Sequence, residues 1–345
     1  MSFDPNGVGV ANGNIFGFPV LEEDADIVIL PVPWDATASY GKGTSRGPEA
    51  LLKASTQLDF FHPKFPKAYD IQVYMTPISS EWLEINDQFN QESAAYFSDL
   101  ESLGETDALA KHAALISSIN EAHEALRKNV LARVEPLLNQ GKLVAILGGE
   151  HSTPLGLIEA LGVRYEQLSI LQIDAHADLR KAYEGFEQSH ASIMYNVLNR
   201  CETLHQLVQV GIRDLSEAEF MLAEEHPKIT SFYDWELKEA HFTGVPWKTT
   251  CENIIAALSE EVYISFDIDG LFPSLCPNTG TPVAGGLSLE HVSYLLFTLV
   301  ASGKRIVGFD LNEVSPGSQG DWDANVGARA LWQLVCAAAL SRKTV

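Results

Sequence analysis

Imidazole and carboxylate side chains, which bind many divalent metal ions in proteins, are concentrated in three short segments of the chain. The segments contain GGEHS at 148–152, DAHAD at 174–178 and DID at 267–269. Six residues in them are candidate metal ligands: His151, Asp174, His176, Asp178, Asp267 and Asp269. Alternate residues of an extended chain project to one side, so this spacing predicts that the ligands of each segment face the same way.

The charge of these ligands predicts two metal ions. Four of the six candidates are aspartates, and four carboxylates in one place repel each other unless cations compensate them. Two divalent ions balance four negative charges and leave room for a bridging hydroxide. Such ions lower the pKa of a water that they share, so that hydroxide forms near neutral pH. Mixed carboxylate and imidazole ligation favours Mn²⁺, with Ni²⁺, Co²⁺, Fe²⁺ and Zn²⁺ as alternatives.

Each segment lies at the end of an apolar run that predicts a buried strand. Six runs are predicted to be strands: 25–32, 143–147, 168–173, 207–212, 262–268 and 305–311. Helical patterns between or after them are predicted at 154–161, 217–224, 250–258, 289–301 and 325–340. The alternation predicts one three-layer α/β domain over residues 1–345, with a mainly parallel sheet. The carboxyl ends of such strands meet at one edge, where ligands bind.

Residues 79–140 depart from this alternation. The segment 79–105 is acidic, and a long helical pattern follows at about 106–140. One interpretation is a surface excursion before a helix that covers the sheet. The other is an oligomer contact or a lid over the site.

Composition excludes several classes of protein. The chain has 345 residues and a formal net charge of −23, which repels nucleic acids and anionic membranes. No window approaches the 18 or more apolar residues of a membrane span. The four cysteines form no CxxC pair, and the first twenty residues lack the pattern of a secretory signal. We therefore expect a cytoplasmic protein with neither nucleic acid nor membrane as a partner.

Three motifs resemble the signatures of the ureohydrolases, the family of arginases, agmatinases, guanidinobutyrases and formiminoglutamases. They are GGEHS, DAHAD and SFDIDGLFPSLCPNTGTPVAGG, and the resemblance covers about residues 25–340. It extends to the glycine-rich segment WDATASYGKGTSRGPEAL and to VGIRD at 210–214. The resemblance implies an arginase-like domain with an eight-stranded parallel sheet, assembled as a homotrimer or homohexamer.

The resemblance also implies roles for individual residues. One manganese ion would be held by His151, Asp174, Asp178 and Asp267. The other would be held by His176, Asp174, Asp267 and Asp269, so that Asp174 and Asp267 bridge. Three residues are implied to be catalytic: Asp178 would hydrogen-bond the bridging hydroxide, Glu313 would grip the guanidinium, and His190 would relay a proton. Hydroxide attack on the guanidino carbon would then release urea and an amine.

The substrate is predicted to be a small guanidino compound, with agmatine, cleaved to putrescine, favoured. Arginases carry an asparagine and an acid where this chain has Arg180 and Ser216, which argues against arginine. If Arg180 points into the pocket, its positive charge favours a substrate with a carboxylate tail, 4-guanidinobutyrate or formiminoglutamate. If Arg180 forms a structural ion pair instead, it gives no such preference. Bare guanidine and aminopropyl-extended agmatine are further alternatives.

Three positions depart from the commonest family pattern: Glu150, Phe272 and Asn278. None is a predicted ligand. Two readings from other classes are a deacetylase-like amide hydrolase, which typically uses one zinc ion, and an inactive regulatory homologue. The number of metal ions bound per chain distinguishes these readings from a ureohydrolase.

Overall fold

One sheet of eight parallel strands forms the centre of the structure and confirms the predicted α/β fold. The computed structural model describes residues 4–318 and 320–343. The strands in these residues are β1 (Ile27–Val32), β2 (Val73–Met75), β3 (Leu143–Gly148), β4 (Leu168–Ile173), β5 (Leu204–Val210), β6 (Ile229–Phe232), β7 (Glu261–Asp267) and β8 (Arg305–Asn312). Their spatial order is β2-β1-β3-β8-β7-β4-β5-β6, and all neighbouring pairs are parallel.

The six predicted strands all form, with small differences at their ends. Every residue of β1, β3 and β4 is buried, as the continuous apolar runs predict. Strands β2 and β6, which lie at the two edges of the sheet, are not predicted from the sequence. β2 has only three residues, and in β6 only Ile229 is buried. Neither therefore carries the long apolar run that identifies the central strands.

Helices cover both faces of the sheet. The α-helices in the described residues are α1 (Gly47–Ala54), α2 (Ser80–Glu92), α3 (Ala94–Leu103), α4 (Glu105–Lys111), α5 (Ala113–Asn139), α6 (Leu155–Arg164), α7 (Ile193–Arg200), α8 (Glu217–Glu225), α9 (Asp234–Phe242), α10 (Trp247–Ala256), α11 (Leu289–Ala301) and α12 (Trp322–Ser341). One group packs in the order α10, α11, α12 and α1, with α12 against β8. The other contains α5, α6 and α7, with α5 and α6 against β3.

Within residues 4–318 and 320–343, no helix is long and apolar enough to cross a membrane.

The segment 79–140 is helical throughout most of its length. The single helix predicted at about 106–140 is wrong in one respect, because the chain forms α4 and α5 with a break at His112. The His112 backbone leaves the helical region, and its Nε2 lies 2.6 Å from Asp99 Oδ2 on α3. The acidic part forms α2 and α3, which bury Asn86 and Tyr96.

Candidate metal centre

The predicted ligands meet at the carboxyl ends of neighbouring strands in the middle of the sheet. β3, β8, β7 and β4 are adjacent in space, although they are far apart in sequence. β3 leads into His151, β4 into the DAHAD segment, and β7 ends at Asp267. Glu313 directly follows β8. The sheet therefore places every candidate ligand and one predicted catalytic residue at the same edge.

The first group of ligands surrounds the Nδ1 atom of His151. This atom lies 3.0 Å from Asp174 Oδ2, 3.0 Å from Asp178 Oδ2 and 3.4 Å from Asp267 Oδ2. His151, Asp174 and Asp267 form a cluster whose ligand atoms are close enough to hold one metal ion. Asp178 adds a third carboxylate oxygen beside the same nitrogen, and its role as a ligand of the first ion stays a prediction.

The second group of ligands surrounds the Nδ1 atom of His176. This atom lies 3.0 Å from Asp269 Oδ2 and 3.6 Å from Asp174 Oδ1. These three residues form a second cluster able to hold a metal ion. Asp174 therefore belongs to both groups, one oxygen to each. Asp267 belongs to the first group alone, and its Oδ1 accepts a hydrogen bond from the Asp269 amide at 2.9 Å. The bridging role of Asp267 stays a prediction.

The charges and hydrogen-bonding groups of the first group suit a bound cation better than they suit contact with one another. His151 Nδ1 makes no hydrogen bond to any described residue, although it is buried among carboxylate oxygens. Burial and the nearby charges of Asp269 and Asp174 raise the pKa of Asp267 well above its usual range. Burial and Asp174 raise the pKa of Asp178 to about 7. Divalent ions would remove this repulsion and give the orphaned nitrogen a partner.

The opposite side of the His151 ring is held by residues of β7 and β8. His151 Nε2 lies 2.8 Å from Ser265 Oγ. Ser265 in turn donates a hydrogen bond to Asp310 Oδ2 at 2.9 Å. Such a partner on the second ring nitrogen orients a metal-binding histidine and leaves Nδ1 free for the ion.

Glu313 lies beside the first group. Its Oε1 accepts a hydrogen bond from the His151 amide at 2.9 Å, and its backbone adopts a left-handed φ of 62°. Burial and the neighbouring Glu150 raise the pKa of Glu313 well above its usual range. A positively charged group bound next to Glu313 would favour its ionised form.

Glu150, one of the three positions that depart from the family pattern, forms hydrogen bonds with the loop that follows β1. Its carboxylate accepts hydrogen bonds from Thr37 Oγ1 and from Ser152 Oγ, each at 2.7 Å. Burial raises the pKa of Glu150 to about 8. Glu150 thus ties the loop that follows β1 to the end of β3.

A cavity of about 340 Å³ opens above the second group. Its lining includes His176, Asp178 and His190, so the structure brings the predicted proton relay next to the ligands. Burial and the positive charges of His176 and His151 lower the pKa of His190 to about 4. The neutral imidazole therefore predominates at pH 7 and can accept a proton.

Arg180 lines this cavity and also forms an ion pair. Its Nε lies 3.4 Å from Glu219 Oε2, and its guanidinium lies over the Tyr183 ring at 5.0 Å. Asp214, also in the lining, keeps 67% of its side chain exposed, and its Oδ2 lies 4.0 Å from His176 Nε2. The lining thus holds three carboxyl groups, those of Asp178, Asp214 and Glu219, and one guanidinium, which is paired with Glu219.

Two residues at the site, Glu219 and Gln172, are not among those predicted from the sequence. Glu219 is the fourth residue of SEAE at 216–219, and it forms a capping box with Ser216 at the start of α8. That spacing is a recognisable helix-start signal, but it does not reveal the contact with Arg180. Gln172 donates a hydrogen bond to Asp174 Oδ2 at 2.8 Å. Its only sequence signal is a glutamine inside a buried apolar strand.

A model of the arginase family matches residues 25–337, and the chain belongs to this family. An N(1)-aminopropylagmatine ureohydrolase of Thermus thermophilus is 33% identical over 302 residues, which are 86% of this chain and 85% of the relative. An agmatinase of Salmonella dublin is 30% identical over 318 residues, 88% and 86% of the two chains. These matches confirm the resemblance and the prediction of a ureohydrolase-type enzyme.

Solved structures agree on the fold. An agmatine ureohydrolase of Thermoplasma volcanium matches with a TM-score of 0.70 and 24% identity, covering 93% of this chain and 92% of that one. A Trypanosoma cruzi formiminoglutamase variant, solved with Mn²⁺, matches with a TM-score of 0.69 and 18% identity over 94% and 96% of the two chains. At these identities the likeness shows the shared fold.

Proposed function

We propose that the protein hydrolyses the guanidino C–N bond of a small substrate with a cationic tail, agmatine or aminopropyl-extended agmatine, and releases urea and an amine. The observation that carries this proposal is the exposed Asp214 carboxyl, which lines the same cavity as an Arg180 already paired with Glu219. The relatives named agmatinase and N(1)-aminopropylagmatine ureohydrolase support a substrate of this class.

The six ligands are proposed to hold two Mn²⁺ ions, with Ni²⁺, Co²⁺, Fe²⁺ or Zn²⁺ as alternatives. Two such ions supply an activated water at neutral pH. The Mn²⁺ of the formiminoglutamase structure supports this choice of metal. The orphaned Nδ1 of His151 is the atom that argues most directly for a metal ion here.

The remaining residues are proposed to orient the substrate and move a proton. Glu313 pairs with the guanidinium through charge-assisted hydrogen bonds. Asp178, which reaches both the first group and the cavity, accepts a hydrogen bond from the attacking water. His190, which lines the cavity, would take up a proton from water there and pass it to the departing amine, which would otherwise be a poor leaving group.

A second candidate is a substrate with an acidic tail, such as 4-guanidinobutyrate. The observation that favours it is the Arg180 side chain, which is 40% exposed and lines the cavity. Its ion pair with Glu219 reduces the attraction that it can offer to a carboxylate.

Urea and ammonia release distinguish the two candidates. Protein loaded with Mn²⁺ or Ni²⁺ would be assayed with agmatine, aminopropylagmatine, arginine, 4-guanidinobutyrate, formiminoglutamate and guanidine. We expect urea from a cationic-tail substrate, and Asp214→Asn should raise its KM up to about fivefold, the size of an exposed ion pair. Glu217→Gln, an exposed neighbour outside the cavity lining, is the matched control.

Preference for the acidic-tail substrate would be recognised from two variants. Turnover of 4-guanidinobutyrate, lost in Arg180→Gln and kept in Asp214→Asn, would contradict the cationic-tail proposal and place the tail on Arg180.

Three further proposals concern the whole chain: a single ureohydrolase domain over residues 1–345, a homotrimer or homohexamer, and a cytoplasmic location. Light scattering of the purified protein would measure the oligomer. These proposals rest on the sequence analysis.

A further inference from the structure

A row of polar side chains crosses the sheet near the carboxyl ends of five neighbouring strands. In register from β6 to β8 these residues are Ser231, Gln209, Gln172, Ser265 and Asp310. All but Ser231 are buried. Strands covered on both faces normally carry apolar residues, and a buried polar group destabilises the fold unless its hydrogen bonds are made. The presence of these buried polar residues in the sheet therefore requires a physical explanation.

Three of the five residues in the row form a continuous chain of hydrogen bonds that ends on a predicted metal ligand. Ser231 Oγ donates to Gln209 Oε1 at 2.9 Å, and Gln209 Nε2 donates to Gln172 Oε1 at 2.7 Å. Gln172 Nε2 then donates to Asp174 Oδ2 at 2.8 Å. This is the oxygen that lies 3.0 Å from His151 Nδ1.

The direction of this chain is determined by its own contacts. Each amide nitrogen has a second acceptor: the carbonyl of His176 at 3.2 Å for Gln172, and the carbonyl of Ala177 at 2.8 Å for Gln209. Turning over the Gln172 amide would place its oxygen against a carboxylate oxygen and a carbonyl oxygen. An amide cannot form a hydrogen bond from its oxygen to another acceptor, so Gln172 has to present its NH2 group to Asp174.

The same two glutamines hold the backbone of the ligand segment. The carbonyls that they bind belong to residues 176 and 177, between the predicted ligands Asp174 and Asp178. Three of the six candidate ligands thus lie on a segment whose side chain and backbone positions depend on Gln172 and Gln209.

We propose that Gln172 is a positioning residue for the metal centre and that Gln209 and Ser231 support it, Gln209 in part through its hydrogen bond to Gln172. Gln172 orients the shared Asp174 carboxylate, and the amide of Gln209 keeps Gln172 in the orientation that allows this. The proposal rests on the metal centre of the proposed function. It differs from that function in what it predicts, because it concerns the affinity for metal rather than the substrate.

Near-isosteric apolar replacements test the proposal. Gln172→Met, Gln209→Met and the double variant would be prepared metal-free, and Mn²⁺ binding would be measured by calorimetry and by electron paramagnetic resonance. Gln206→Met is the matched control, since Gln206 lies on the same strand as Gln209 but donates to Thr230 at 2.8 Å, away from the site. Circular dichroism and thermal unfolding would report whether each variant folds.

We expect Gln172→Met to lose about 10- to 100-fold in Mn²⁺ affinity, the usual size of an outer-partner effect. Gln209→Met should lose less. The double variant should lose less than the sum of the two single losses, because part of the effect of Gln209 is exerted through Gln172. Gln206→Met should bind Mn²⁺ like the wild type.

Two results would overturn the proposal. One is unchanged Mn²⁺ affinity in a folded Gln172→Met or, if that variant unfolds, in a folded Gln209→Met. The other is a loss of Mn²⁺ affinity in Gln206→Met as large as the loss in Gln172→Met, which would show that destabilising the core, rather than losing the contact with Asp174, lowers the affinity. A wild-type protein that binds fewer than two ions would instead contradict the metal centre of the proposed function, and the inference with it. A wild type that binds two ions but cleaves no guanidino compound would contradict the proposed reaction alone.

Discussion

The carboxyl groups around His151 have ionisation states that depend on one another. Burial and the charges of Asp269 and Asp174 raise the pKa of Asp267, and Asp178 adopts a left-handed φ of 53° beside the same histidine. Left-handed backbone is strained for a residue other than glycine. The surrounding fold has to hold these groups in place, and bound cations would relieve their repulsion.

Replacing Asp267 separates the effect of carboxylate repulsion on the metal-free fold from the stabilisation by bound cations. At pH 7.5 a buried carboxyl with a raised pKa destabilises the metal-free fold, since its ionised form is disfavoured above the usual aspartate pKa. We expect metal-free Asp267→Asn to unfold at a temperature no lower than the wild type does. With Mn²⁺, it should gain less thermal stability than the wild type, and its turnover should fall by more than about 100-fold.

Scanning calorimetry with and without Mn²⁺ and a urea assay would measure both effects. Asp59→Asn, an exposed position, is the control. Near-normal turnover in a folded Asp267→Asn would contradict its assignment as a ligand.

At the scale of elements, α2 and α3 connect two loops at the site. Asn86 on α2 accepts a hydrogen bond from the Asp35 amide at 2.7 Å and donates one to Asp35 Oδ1 at 2.9 Å. Tyr96 on α3 donates to the carbonyl of Glu184 at 2.6 Å. Asp35 follows β1, and Glu184 precedes His190 in the chain. These buried contacts favour a brace between the loops over a lid that opens.

Removing the brace should destabilise the protein measurably. Asn86→Ala leaves the buried amide and carboxylate of Asp35 without two of their hydrogen bonds, which we expect to lower the free energy of unfolding by about 1–3 kcal/mol. Gln88→Ala on the exposed face of the same helix is the control. Urea unfolding would measure both variants. Equal stability of the two variants would show that Asn86 does not hold the loop.

At the scale of the whole molecule, the net charge of −23 creates a field that attracts cations. The exposed Asp214 places part of this charge at the cavity mouth. A dicationic substrate such as agmatine should therefore be captured faster than a zwitterion of similar size.

The dependence of kcat/KM on ionic strength should reveal the attraction between the negatively charged protein and agmatine. Between ionic strengths of about 0.01 and 0.15 M the screening length falls from about 30 to about 8 Å. We expect kcat/KM for agmatine to fall several-fold over this range, whereas any kcat/KM for zwitterionic 4-guanidinobutyrate changes little. Steady-state assays at matched pH and saturating Mn²⁺ would measure both. An equal fall for the two substrates would point to an effect of salt on the metal centre instead.

The sequence by itself determined the central strands and the positions of the six candidate ligands along the chain. Each central strand is a continuous apolar run, and the candidate ligands follow at or just after the ends of three of these runs. The bounds predicted for α11 also agree with the structure, because Ser288 caps its first turn. These features depend on neighbours within a few residues, so local sequence carries them.

Only the tertiary structure decided which residues meet across the sheet. The pairing of Gln172 with Gln209, the ion pair of Arg180 with Glu219, and the contact of Asn86 with Asp35 join residues 37, 39 and 51 positions apart. Strand register and loop packing are set by the whole hydrophobic core rather than by neighbouring residues. A glutamine in an apolar strand is therefore unexplained in the sequence, whereas the folded sheet aligns it with its partners beneath Asp174.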